Sequence, residues 1–482
     1  MNINTLSNNP SKIPIKVTLI SCGAAIGGFL FGFDTAVING AIDPIREVFG
    51  LSSFGVGVVV AITLFGAAFG ALATGWLADR WGRTRVMSLV SLLFIVSSIG
   101  CGISTGYYEL TIWRFIVGFC VGITTVIGPL YISEIAPAAI RGKLSSLQQM
   151  AIVLGIFAAL LSNTFIARVL NGANADLWMG LPAWRWMFLV GLIPSALYGI
   201  FSLTIPDSPR YLVSRGNIAE AKRILMTAQS ISAQAAQEQA EKIHTTLQLT
   251  HRPQFRDILD KKAGLLPIVW VGIALALLQA LVGIDVIFYY STSLWKSVGF
   301  DESTSFELSV LSSFVNILAT VVAIALIDKV GRRKLLLFGS AGMFFSLLTV
   351  SLGFSMAQQV AEDSIVLPEP WGMITLAAAN LFVIFFAVSW GPVVWVLLGE
   401  MFPNKIRAIA VSVCASANWA GGVVLNLTFP TLRDFSLPIS YGIYAVFALL
   451  SWILVKRYVR ETRHVELEDM PEDIKAGQHH EK

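Results

Sequence analysis

Gly75-Trp-Leu-Ala-Asp79-Arg80-Trp-Gly82-Arg83-Thr-Arg85 is a charged turn squeezed between two apolar stretches, and the chain repeats it as Ile327-Asp328-Lys329-Val-Gly331-Arg332-Arg333-Lys334. The offset is constant: 328 − 79, 331 − 82 and 332 − 83 each equal 249. A second pair follows, Glu134-Ile-Ala-Pro137-Ala-Ala-Ile-Arg141 and Glu400-Met-Phe-Pro403-Asn-Lys-Ile-Arg407. Two halves of one membrane chain therefore carry the same turns in the same orientation. Same-orientation repeats place a solute site between the halves, as in many secondary transporters.

Composition agrees. Of 482 residues, 55% are hydrophobic and 13% charged, and the net charge is +4. Stretches of about twenty apolar residues recur, each long enough to cross a ~30 Å hydrocarbon layer as a helix. The alternation of a membrane β-barrel is absent. The expectation is an all-α membrane protein of about twelve spans in two six-helix halves related by pseudo-twofold symmetry. The halves cover residues 1–205 and 263–458, joined by a cytosolic helical linker over 206–262 and followed by a cytosolic tail over 459–482. In the linker, Asn217 starts a capped amphipathic helix, and the Gln/Ala/Glu run from Ala233 to Glu241 reads as more surface helix.

Cations crowd the repeated turns, whereas the opposite loops hold few: Arg46, Arg168, Lys296 and Arg433. The positive-inside rule makes the turns, and with them both termini, cytoplasmic. Residues 1–16 do not read as a cleaved signal. Cys22, Cys101, Cys120 and Cys414 fall inside spans without metal spacing and read as free, buried thiols. No catalytic dyad, metal cluster or phosphate loop appears, which argues against an enzyme. Neither a nucleic acid nor a cofactor is expected as a partner; the lipid bilayer is.

Ionisable side chains inside spans need a reason, because each costs several kcal/mol unless paired or hydrated. Asp34 in the first span and Arg114 in the fourth lie at compatible depths and are expected to face each other, so that proton binding can be tied to conformation. Asp285 in the seventh span sits near the place equivalent to Asp34, beside Gly283, which permits a break in the helix. It can bind a polar ligand, carry a second proton or bond a neighbouring helix. Ser389-Trp390-Gly391-Pro392 predicts a hinge in the tenth span. Asn316, Asn418 and Trp419, with Trp395, offer amides and flat rings suited to a polyhydroxylated ligand. Asp79, Arg83, Glu134 and Arg141, with Asp328, Arg332, Glu400 and Arg407, are expected to form ion-pair networks between the halves, latching the cytoplasmic side.

These residues resemble the sugar porter family of the major facilitator superfamily. The likeness rests on Gly27-Gly28-Phe29-Leu30-Phe31-Gly32-Phe33-Asp34, both charged turns, Arg114, Pro206-Asp207-Ser208-Pro209-Arg210 and Ser389-Trp390-Gly391-Pro392. It implies that the first-span acid marks proton coupling. It carries sugar contacts onto Gln279, Asn316, Trp395 and Trp419, with Phe31, Tyr289 and Tyr290 lining or gating the cavity. The chain departs from the family at Ile156, Ala280 and Asp285, where glutamine, glutamine and asparagine are usual, and its C-terminal signature is degraded to Arg460-Glu461-Thr462-Arg463-His464. The implied activity is proton-coupled symport of a sugar or related polyol into the cell by a monomer in a bacterial cytoplasmic membrane. An uncoupled uniporter and a non-transporting solute sensor are the alternatives.

Overall fold

The computed structural model describes residues 15–462, apart from 138–139, 171, 177–179, 250–254, 261–263, 362–363 and 404–405. Twelve of its helices are long and apolar enough to cross a membrane. Six precede the linker: Ile15–Gly40, Ser53–Trp81, Arg83–Ile103, Tyr107–Ile135, Ser146–Val169 and Ala183–Thr204. Six follow it: Pro267–Ser297, Glu302–Ile327, Arg332–Ser355, Trp371–Met401, Ile409–Phe435 and Leu437–Tyr458. Hiding apolar area from equally apolar lipid tails gains little, so close backbone packing holds such helices together. The second and fourth spans show how: Gly70 leaves no room for a Cβ beside the Phe119 carbonyl, nor Gly118 beside that of Thr63.

The repeated turns fold alike. Gly82 and Gly331 end the second and eighth spans with φ of +90° and +97°. The Arg83 and Arg332 backbone N–H groups then donate to the Asp207 and Glu461 carboxylates, both at 2.9 Å. The Arg83 guanidinium grips Glu134 with two bonds of 2.9 Å, and Arg332 grips Glu400 at 3.1 and 3.0 Å. Thr462 adds a bond of 2.6 Å to Glu400, so Glu461 and Thr462 together tie the end of the last span to this turn.

In the conformation described, these pairs sit within each half rather than latching one half to the other. Arg83–Glu134 and Arg332–Glu400 each join helices of the same half, and among the described residues Asp79 pairs with Arg83, at 3.4 Å with its side chain 80% exposed. The glutamates end the fourth and tenth spans, one helix pair away within their own half, so the arginine finds them before it can reach across. Arg407 donates to the Phe402 carbonyl at 3.1 Å, again within one half. The side chains of Arg141 and Asp328 lie outside the described residues.

A Cβ on Gly82 would both strain the backbone and collide with the Asp207 carboxylate. Gly82→Ala is expected to destabilise the purified protein by about 1–3 kcal/mol. Gly75→Ala, where no atom lies within 4 Å of the added carbon, should leave the melting temperature unchanged.

The linker forms helices Pro209–Ser214, Ile218–Gln229 and Ala233–Leu249. Asn217 caps the second of these through the Glu220 N–H at 3.2 Å. Val213, Ala221, Leu225, Ala236 and Ala240 give the three helices a small apolar core of their own. Gln229 docks them on the fourth span through the Ile135 carbonyl at 3.1 Å. Cys22 is exposed on the surface of the first span, contrary to the expectation for all four thiols; the other three are buried.

Candidate functional site

The buried face of the first span carries many glycines and alanines, with Leu30, Phe33 and one acid, Asp34, toward its far end. Asp34 is 8% exposed and Arg114 fully buried, and Arg114 Nη1 donates to Asp34 Oδ1 at 2.7 Å. The guanidinium also lies over the Phe188 ring, 5.8 Å from its centroid. A charge so deep in an apolar bundle requires its partner, since neither could be stripped of water alone at acceptable energy. The pair joins the first and fourth spans within the N-terminal half.

Gly283 breaks the seventh span. Its φ of +91° ends helix Pro267–Leu281 and starts Ile284–Ser297. The break puts Asp285 in the first turn of the new helix, where the carboxylate Oδ2 faces Asn426 Nδ2 of the eleventh span at 3.4 Å. One turn earlier, Gln279 Oε1 accepts from Asn418 Nδ2 at 2.5 Å, and that amide also donates to the Ala276 carbonyl. Across the halves, the Phe31 and Trp419 rings stand 5.8 Å apart. Amide, carboxylate and ring groups therefore collect between the first, seventh and eleventh spans. Asn316 is buried in the eighth span and Tyr289 in the seventh.

The tenth span loses its regular α ladder where the Gly-Pro step predicts, through a π turn at Phe386–Trp390 just before Gly391. Pro392 supplies no N–H and its ring crowds the preceding turn, so the widened turn absorbs the misfit. Trp390 is wholly buried, its indole N–H donating to Ser340 Oγ at 2.8 Å. Trp395, one turn on, is half-buried.

Sequence reasoning missed a cluster at the bundle end opposite the charged turns. Asn39 donates to the Phe288 carbonyl and Ser291 Oγ, both at 2.9 Å, and accepts from the Thr292 N–H at 3.2 Å. Asp43 accepts from Ser293 Oγ at 2.8 Å and pairs with Lys296 at 2.9 Å. Asp434 pairs with Arg46 at 3.6 Å and bonds Ser53. All these contacts join one half to the other. The available signal was Asn39 and Asp43, four residues apart at the end of the first span, with the hydroxyl run Ser291-Thr292-Ser293 near the end of the seventh.

A twelve-span bundle with parallel repeats, a span broken near its middle and a buried acid–arginine pair defines a secondary transporter, not an enzyme. The chain belongs to the sugar transporter family: the model described as "Sugar (and other) transporter" matches residues 20–474. It is 47% identical to the glucose transport protein of Synechocystis sp., over 96% of this chain and all of that one. Among solved structures, the inward-open form of the xylose transporter XylE of E. coli superposes with a TM-score of 0.79 at 29% identity, covering 94% of this chain and 99% of that one. The proton:xylose symporter XylE bound to 6-bromo-6-deoxy-D-glucose gives 0.77 at 30%, covering 95% and 98%. The chain is a multi-pass membrane protein of that fold.

Proposed function

We propose that this protein carries a pyranose sugar of the glucose and xylose class into the cell together with protons, by alternating access. One observation carries the coupling: the Asp34–Arg114 contact of 2.7 Å, sealed inside the N-terminal half. Arginine stays charged throughout, so only Asp34 can exchange its partner for a proton. A protonated Asp34 attracts Arg114 less, freeing the first and fourth spans to shift; the ionised form pulls them back. Two ligands that each favour one arrangement of the same helices are thereby coupled.

The sugar lies between Phe31, Gln279, Asp285, Tyr289, Asn316, Trp395, Asn418 and Trp419. The Gln279–Asn418 pair and Asp285 bond hydroxyls, and the rings cover the apolar C–H face. The glucose transport protein and the glucose analogue on XylE favour a hexose. Arg83, Glu134, Arg332 and Glu400, with Asp79 and Arg407, brace each half at the cytoplasmic face. The protein works as a monomer in the bacterial cytoplasmic membrane, its charged turns and both termini inside. The Asn39 and Asp43 contacts then close the outer face in the conformation described. No cofactor is needed beyond the proton.

Competition by unlabelled pyranoses and inositol against labelled glucose, in proteoliposomes with an imposed proton gradient, tests the substrate class. Glucose should compete best, and stronger competition by inositol would replace the sugar with a polyol. Gln279→Ala is expected to raise the KM for glucose about tenfold with little change in Vmax, the loss of roughly one hydrogen bond of about 1–1.5 kcal/mol.

A further inference from the structure

A cavity of about 20 Å³ lies beside Asp34, walled by residues of the first, third, fourth and sixth spans, including Ser98, Cys101, Gly191 and Ser195. The candidate sugar contacts come mainly from the C-terminal half, so this is a separate space. Asp34 Oδ2 is buried and without a hydrogen-bond partner among the described residues, while Oδ1 takes Arg114. Buried polar atoms are nearly always satisfied, and a space above ~10–15 Å³ with two to four polar partners holds one water.

We propose that this cavity is a hydration site whose single water bonds Asp34 and delivers the coupling proton to it, apart from the sugar path. The polar wall fits that role. Ser195 Oγ already donates to the Gly191 carbonyl at 2.6 Å, which leaves its lone pairs to accept. The water donates to Asp34 Oδ2 and Ser195 Oγ, and accepts from the Ser98 hydroxyl or the Cys101 thiol. In the transfer, an O–H bond of a bulk hydronium breaks as one forms at the site water, leaving water in the bulk and a hydronium in the site. One of its O–H bonds breaks as an O–H bond forms at Oδ2, leaving a neutral carboxylic acid and a neutral water. Besides Arg114, the titratable groups near Asp34 are Cys101 on the third span, Cys120 on the fourth and Tyr289 on the seventh. This site rests on the symport reading above.

Filling the cavity tests it. Gly191 has a φ of −57°, which any residue adopts, and a Cβ there would stand 3.3 Å from Ser98 Oγ and 3.1 Å from the Phe188 carbonyl. Gly191→Ala enters from the sixth span, and Ser98→Val from the half-exposed third, so failure of one to fold leaves the other. Each variant is reconstituted and assayed for gradient-driven glucose accumulation, its pH profile and glucose counterflow at equal pH. The expected result is accumulation lowered about tenfold with a displaced pH profile, while counterflow stays within twofold of wild type. Accumulation at the wild-type level in both variants overturns the proposal, as does a loss of counterflow in step with accumulation. Wild-type uptake indifferent to a protonophore overturns the symport reading, and this site with it.

Discussion

Asp34→Asn should reduce steady-state glucose accumulation to the external concentration while leaving counterflow within a few-fold of wild type. One elementary charge crossing 100 mV is worth about 2.3 kcal/mol. At about 1.4 kcal/mol per tenfold, one proton per sugar sustains roughly 50-fold accumulation across such a membrane. The amide keeps an oxygen for Arg114 Nη1, which now approaches Asp34 Oδ1 at 2.7 Å, but cannot take and release a proton in the cycle. Labelled glucose uptake in energised vesicles, beside exchange without a gradient, separates the two activities. Full accumulation by this variant would remove Asp34 from the coupling step.

A larger structural effect is expected from Asp34→Leu. It strips Arg114 of the carboxylate and leaves a fully buried cation that cannot shed its proton. Breaking a buried pair in this way costs about 3–5 kcal/mol. The double variant Asp34→Leu/Arg114→Leu should recover most of the loss, because a well-packed apolar pair replaces the ionic one. Thermal melting of wild type, both single variants and the double variant closes the cycle. Additive losses would mean that the two side chains do not interact as their 2.7 Å contact implies.

The fold was legible because its signals are local. Apolar runs mark the spans, and glycine with adjacent charge marks the repeated turns. A glycine in the middle of an apolar run marked the break at Gly283. Asp34 and Arg114 could be matched because depth along a helix follows from residue number at ~1.5 Å per residue. The partner of a turn arginine was harder. Charge alone does not say whether Arg83 reaches Glu134 in its own half or an acid in the other, and packing brings Glu134 first. Asn39, Asp43 and Asp434 were missed for a related reason. Their partners lie in the other half, and such contacts hold only in a conformation closed at that end. Of the two tryptophans flanking Gly391-Pro392, the chain offered Trp395 to the ligand, and it is the half-buried one, whereas Trp390 is wholly buried.

Proton movement on substrate addition is the most direct test of symport. Purified protein, reconstituted into lightly buffered vesicles without an imposed gradient, is given glucose while external pH is recorded. The account predicts a prompt alkalinisation that a protonophore abolishes and Asp34→Asn does not show. Glucose entry at the wild-type rate with no change in external pH would contradict it and make the protein a uniporter.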